Sequence, residues 1–419
     1  MSAATKLGEL IKPRSLWRTL VVFAAVMGPG FITANVDNDA GGITTYTLAG
    51  AHFGYGLLWT MIPITIALVL VQEIVARMGV VTGKGLADLI RENYGVKVTF
   101  YLMMGLIATN LSNVIAEFAG VAASLGLFGV PKVFSVVSAA LFVWWLVTQG
   151  DYKRVEKVFL FACLFYGTYL VTGWLVAPDW SEVMRATATP SFHWDREWLT
   201  MFLGLTGATI APWMQFYQQA SIVDKGLRAS EYRLVRLDVV LGCLFTNLVT
   251  FFIIVVCAAT LHKNGVVVVD AAQAAQSLKP LAGQYCEWLF AIGLLNASLF
   301  AASILPLSTA YSVCEGMGWQ TGLDHNFETA PQFYGLYTLL IGIGALVVCW
   351  PGFPLIKVMF WSQVINGLIL PAVLALCIDL SSREDLMGEF VNPPWFRWLA
   401  WSFVAAMTVL SMAMLWSML

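Results

Sequence analysis

Eleven apolar stretches occur along the chain, at 19–48, 56–78, 98–127, 132–149, 155–177, 198–223, 234–261, 283–313, 333–350, 354–379 and 395–418. Each is close to the about 20 residues that a helix needs to cross the hydrocarbon of a bilayer. Backbone polar groups in lipid must be satisfied within the segment, so apolar stretches of this length cross as helices. Composition agrees, with 59% hydrophobic and 11% charged residues, far from a soluble domain. The 17 tryptophans suit interfacial belts. The expected fold class is an all-α integral membrane protein with eleven transmembrane helices, and the bilayer is its first partner.

Lys and Arg set the expected orientation. With the N-terminus inside, 17 of them fall on the inner side and 6 on the outer side. This predicts a cytoplasmic N-terminus, an extracellular C-terminus and residence in the cell membrane. Lys6, Lys12, Arg14 and Arg18 precede the first apolar stretch, and no small-residue cleavage pattern follows. Residues 1–18 therefore read as a cytoplasmic segment, and residues 19–418 as one transmembrane domain. An amphipathic stretch from Gly85 to Tyr94 precedes the third span. Cys163, Cys243, Cys257, Cys286, Cys314, Cys349 and Cys377 are scattered in apolar surroundings and read as packing residues.

Two spans are interrupted. The first contains GPGFITANVDNDAGGITT, Gly28 to Thr45, with Asn35, Asp37, Asn38 and Asp39 at bilayer depth beside Gly41 and Gly42. An intramembrane carboxylate costs about 2.5–3.5 kcal/mol on insertion scales, so it faces a partner, a cavity or an ion. The sixth span, Leu203 to Ser221, is punctuated by Gly204, Gly207 and Pro212. Pro212 removes a donor and disfavours helix at Ala211. Five spans separate the two breaks, so they run in opposite directions. Broken helices at matching positions of two halves point to an inverted-repeat transporter with a midplane site. The repeats are expected at about 19–177 and 198–379, with an extra helix at 395–418. No HExxH, nucleophile elbow or phosphate-binding loop is present, so no enzymatic activity is expected. No basic nucleic-acid patch exists either.

The chain resembles the NRAMP family of divalent-metal transporters. The resemblance rests on GPGF (Gly28 to Phe31), on Asp39-Ala40-Gly41-Gly42, and on Gln72 with ARMGVVTGKGLADL (Ala76 to Leu89). AEFAG (Ala116 to Gly120) with LFGVP (Leu127 to Pro131), GATIAPW (Gly207 to Trp213), and SQV (Ser362 to Val364) with Leu370-Pro371 extend it. It implies a LeuT-type fold: two inverted five-helix repeats, broken first and sixth helices, and an eleventh helix.

The resemblance also implies a metal site. Asp39 keeps the first-span carboxylate, and the carbonyls of Val36 and Ala208 match the family's carbonyl positions. The family's Asn falls at Gly42, its Met at Ala211 and its sixth-span His at Trp213. The family's tenth-span Gln falls at Ile369 by simple register. This pattern looks most like the divergent, NRAMP-related magnesium branch.

Elementary coordination chemistry leads the same way. Ala211 offers no thioether, so the soft ligand that favours later transition metals is missing. Gly42 and Ala211 remove side-chain volume, so a wider cavity is expected. Mg²⁺ is hard and keeps several waters, meeting one or two carboxylates. The expected cargo is partly hydrated Mg²⁺, with Mn²⁺ also accepted, moved by alternating access without proton coupling. No cofactor and no obligate protein partner are expected. A proton-coupled Mn²⁺/Fe²⁺ symporter and an organic-solute carrier of the same fold are the alternatives.

The supporting residues keep open readings. Asp37 either stabilises the unwound segment, serves an outer cation funnel, or ligates directly. Asn38, like Asn35, reads as a backbone satisfier before a ligand. Glu117 matches an acidic third-span position that the family associates with proton passage, or else makes a structural hydrogen bond. Trp213 either packs or fills the former proton route. Thr209 and Gln215 add polarity beside the second break. Glu73 is expected to pair with Arg77 one helical turn away.

Overall fold

The structure, a computed structural model, describes residues 28–149, 152–266 and 284–416. The expected cytoplasmic segment 1–18 and the first residues of the first span lie outside the described residues. Every regular element among the described residues is helical. The first pass is broken into α1 (Pro29–Val36) and α2 (Ala40–Phe53), and α3 (Met61–Thr82) returns. α4 (Leu86–Gly126) contains the amphipathic stretch and the third span, divided at Gly95, where φ is 81°. α5 (Lys132–Thr148) is followed by α6 (Tyr152–Cys163) and α7 (Gly167–Val176), which together form the fifth pass.

α8 (Trp180–Ala188) is a short surface helix capped by Asp179. The sixth pass is broken into α9 (Arg196–Thr209) and α10 (Pro212–Asp224). α11 (Tyr232–Cys257), α12 (Gln284–Met317), α13 (Pro331–Cys349) and α14 (Leu355–Ser381) follow. The single turn α15 (Glu384–Met387) leads to α16 (Pro394–Trp416). Eight of the described helices are long and apolar enough to span, and α5 is slightly shorter. The two broken pairs complete the eleven expected passes.

The packing repeats itself. α4 lies along α5 as α12 lies along α13, and α2 contacts α11 as α10 contacts α3. α4 meets α14 as α12 meets α7, while the pairs α3–α11 and α4–α12 map onto themselves. A two-fold relation between the first five passes and the next five produces this pattern, and the sequence reading of two inverted repeats anticipates it. The chain is a multi-pass membrane protein of LeuT-type architecture.

Lipid offers no hydrophobic drive between helices, so close approach depends on small residues. At the α9–α14 crossing, a Cβ on Gly207 would run into the Gln363 carbonyl and the Gly367 backbone, and one on Gly367 would lie 2.6 Å from the Leu203 carbonyl. Away from the breaks, Glu73 and Arg77 pair on α3 at 3.1 Å, as expected. Arg77 also donates to the Phe390 carbonyl at 2.5 Å and to Asn392, and the Tyr232 hydroxyl donates to Glu73. Among the described residues six cysteines are free: five are buried and Cys349 is half-buried, consistent with packing.

Gly207→Val overpacks the α9–α14 crossing. It is expected to destabilise the protein by about 1–3 kcal/mol, read as a lower melting temperature in detergent, whereas Gly105→Val, at a glycine with open space, leaves melting unchanged.

Candidate metal site at the two helix breaks

At each break a helical hydrogen bond is missing, for a different reason on each pass. In an unbroken helix the Ala40 N–H would return to the Val36 carbonyl four residues back. Here it donates to Glu117 Oε2 on α4 at 3.0 Å. The Asn38 N–H bonds to the Asn35 carbonyl at 3.2 Å, which closes α1 one residue earlier. At the second break, the residue that would reach back to the Ala208 carbonyl is Pro212, which has no N–H. Ala211 is extended, with φ −80° and ψ 144°. The two carbonyls named from sequence, Val36 and Ala208, are among those at the helix ends that lose their helical donors, and both residues are buried.

Asp39 caps α2. Its Oδ1 accepts the Gly42 N–H at 2.5 Å, a placement favoured by the positive end of the helix dipole. Gln363 of α14 donates to Asp39 Oδ1 and Oδ2 at 3.3 and 3.4 Å. The Gln363 amide is itself oriented, because Asn366 Nδ2 donates to its Oε1 at 3.0 Å. Asn366 exchanges hydrogen bonds with Asn113 of α4 at 3.2 and 3.3 Å. A buried amide chain therefore runs from Asp39 through Gln363 and Asn366 to Asn113. Gln363, from the SQV motif, is the tenth-span amide that meets Asp39, whereas Ile369 is the position that simple register gives the family's tenth-span Gln. Ile369 lies six residues along α14 on another face and is half-buried among apolar groups. The SQV motif carried the signal for Gln363.

α1 is held at its N-terminus by Asp238 of α11, which accepts from the Gly28, Gly30 and Phe31 N–H groups at 3.2, 2.8 and 3.3 Å. Asn38 donates to a backbone carbonyl, that of Thr246 on α11 at 3.3 Å. Its Nδ2 donates to Thr246 Oγ1 at 2.6 Å and its Oδ1 accepts from Thr250 at 3.0 Å, so it ties the break to α11. Asn35 does satisfy its helix, donating to the Phe31 carbonyl at 2.7 Å. Tyr46 and Thr209 share a hydrogen bond of 3.3 Å, joining α2 to α9 beside the breaks. Gln215, with its amide nitrogen facing the break, donates to the Ala211 and Pro212 carbonyls at 2.9 and 2.8 Å.

The expected extra room at Gly42 is not present in this arrangement. A Cβ there would lie 2.7 Å from the Asp37 carbonyl and 3.2 Å from Asp39 Oδ1. The missing side chain lets the chain fold over the start of α2, so the space is filled by backbone. Ala211 presents only its methyl group, its carbonyl being taken by Gln215 and the Met214 N–H. Trp213 is wholly buried on α10, near Tyr217 with ring centroids 6.4 Å apart, and its indole N–H has no acceptor. His52 and His262 lie at the far end of α2, His193 before α9 and His325 before α13, all away from the breaks.

Among the described residues no three His, Cys, Asp or Glu side chains converge as a metal cage. The breaks carry one capping carboxylate, Asp39, that also receives the Gln363 amide, and helix-end carbonyls at Val36 and Ala208 without their helical donors. Carboxylate and carbonyl oxygens at half-helix ends are the chemical type that receives a hard cation in inverted-repeat transporters. Fold and site together define a membrane transporter of the LeuT architecture.

Comparison with known proteins supplies the family. The family model Nramp, "Natural resistance-associated macrophage protein-like", matches residues 30–417, and the chain belongs to this family. It is 32% identical to a divalent metal cation transporter MntH 1 of Pseudomonas aeruginosa, over 94% of this chain and 91% of the relative. It is 27% identical to the divalent metal cation transporter MntH of Granulibacter bethesdensis, over 95% of this chain and 89% of the relative. The crystal structure of the Eremococcus coleocola manganese transporter, in complex with an aromatic bis-isothiourea compound, superposes with a TM-score of 0.80 at 22% identity. That match covers 97% of this chain and 88% of the other. MhsT in complex with L-phenylalanine superposes with a TM-score of 0.59 at 15% identity, over 93% and 98% of the two chains, and shares the fold. The chain is a transport protein and not an enzyme.

Glu117→Leu leaves the Ala40 N–H without its acceptor, at an expected cost of about 1–3 kcal/mol. Thermal melting checks this, and Glu117→Gln, which keeps an acceptor oxygen, is expected to restore most of the loss.

Proposed function

We propose that this chain carries divalent cations inward across the cell membrane by alternating access, with partly hydrated Mg²⁺ as its main cargo and Mn²⁺ also accepted, and that it moves no proton with them. The observation that carries the reading is the donor set at the breaks: Asp39 and the carbonyls of Val36 and Ala208, with no sulfur or imidazole. Hard oxygen donors suit Mg²⁺ and Mn²⁺, and the methyl of Ala211 gives no advantage to softer ions. Further buried acceptors without partners at the first break are Asn35 Oδ1, both oxygens of Asp37 and Glu117 Oε1. Waters carried by an ion present hydrogens to such acceptors.

The proton-free reading is supported by what links Asp39 to the rest of the bundle. Gln363, Asn366 and Asn113 are amides and do not titrate. Glu117 already holds the Ala40 N–H, and Trp213 stands where the family's His would be. The membrane potential alone suffices, since an inward 2+ ion gains about 2.3 kcal/mol per charge per 100 mV. In this reading the N-terminus is cytoplasmic and the C-terminus extracellular. Residues 19–177 and 198–379 are the two repeats and residues 395–418 the extra helix. No cofactor or obligate protein partner is needed.

The second reading is a proton-coupled Mn²⁺ carrier, favoured by the manganese transporter named among the structural relatives. An organic acid is disfavoured, because the carboxylate of Asp39 would repel that of the solute.

Proteoliposomes holding the chain are expected to take up Mg²⁺ without internal acidification, followed with a Mg²⁺ indicator and a pH dye together. Acidification that scales with metal uptake would overturn the uncoupled reading. Asp39→Ala is expected to abolish uptake. Ala211→Met, which adds a thioether at the second break, is expected to shift preference from Mg²⁺ toward Mn²⁺ and Cd²⁺ in a competition assay.

A further inference from the structure

One carboxylate at the breaks has no role in the fold. Asp37 is 1% exposed, and neither of its side-chain oxygens has a hydrogen-bond partner. Its neighbours are all committed. Asp39 receives Gly42 and Gln363. Asn38 receives Thr250 and donates to Thr246. The Asp238 carboxylate receives three N–H groups. An ionised carboxylate away from water and without a donor is among the most costly groups a protein can hold. That cost is removed by a partner, by a bound ion or by protonation.

The position of Asp37 is equally specific. It follows Val36, whose carbonyl has lost its helical donor, and precedes Asp39 by two residues within the unwound turn. The two carboxylates therefore flank the same stretch of freed backbone. Asp39 supplies charge while its Oδ1 is engaged in capping α2, and Asp37 brings oxygens with no other engagement.

We infer that Asp37 is the second anionic group of the cation site, meeting the ion or its bound water so that two carboxylates balance one divalent charge. The inference deepens the proposed divalent-cation function and rests on it. It assigns Asp37 a specificity role: a site bearing two negative charges is neutralised by a 2+ ion, whereas a monovalent ion leaves one site charge uncompensated. Mg²⁺ that keeps several waters while meeting one or two carboxylates fits this arrangement.

The test uses the full chain in proteoliposomes, with Asp37→Asn and Asp37→Glu beside the wild type. Asp37→Asn keeps shape and removes charge. It is expected to raise the KM for Mg²⁺ and for Mn²⁺ about tenfold or more, the range seen when a group supporting a metal ligand is lost. It is also expected to reduce the rise in melting temperature that Mg²⁺ causes, while the melting temperature without Mg²⁺ is kept or raised. Asp37→Glu is expected to recover part of the affinity. Unchanged KM values and an unchanged Mg²⁺-dependent melting shift in Asp37→Asn would overturn the inference. So would a lower melting temperature without any change in ion dependence, because that marks a structural role. If the wild type takes up Mn²⁺ and not Mg²⁺, the magnesium reading fails, and the Mn²⁺ KM of Asp37→Asn still decides the role of Asp37.

Discussion

The Ala40 N–H holds the site open. A helix that kept this donor for the Val36 carbonyl would run through the membrane unbroken and offer an ion nothing but side chains. Glu117, reaching from α4, takes the donor instead. The sixth pass reaches the same result covalently, because Pro212 has no donor to give. Two carbonyls at opposed half-helix ends become available, one by competition and one by omission. Non-helical backbone at membrane depth is tolerated where it is buried in protein or lines a cavity, and here it is buried by α4, α11 and α14.

That burial explains the dense polar bonding around the breaks. Asp238 secures the beginning of α1, Asn38 ties the unwound turn to α11, and Tyr46 with Thr209 joins the two broken passes. Gln363, Asn366 and Asn113 then connect the capping carboxylate to two further helices. Nearly every polar group at the first break has an internal partner. The unpartnered oxygens of Asp37 stand out against this background.

Much of this was legible from sequence, for reasons tied to particular residues. The breaks could be read because Pro212 and the Asp37–Asp39 run are local and costly in lipid. The Val36 and Ala208 carbonyls followed from the resemblance, and helix geometry accounts for them. Other features were not legible. Gln363 was passed over because contact across three hundred residues depends on how α14 rotates against α2. Asn38 does satisfy a backbone carbonyl, but that its partners lie on α11 is not legible from the chain alone. Gly42 was read as added room, yet backbone occupies that room, and only the path of the Asp37 carbonyl reveals it.

By itself the sequence determined that the chain crosses a membrane eleven times, that two passes break, and that the breaks hold carboxylate and carbonyl oxygen without sulfur. Those facts follow from hydrophobic length, a missing proline donor and residue chemistry, all of which act locally. The tertiary structure alone decided which donor opens the first break, which amide faces Asp39, and which carboxylate is left without a partner. Hydrogen bonds between passes depend on helix rotation and depth, and those are set by packing among small residues such as Gly207 and Gly367.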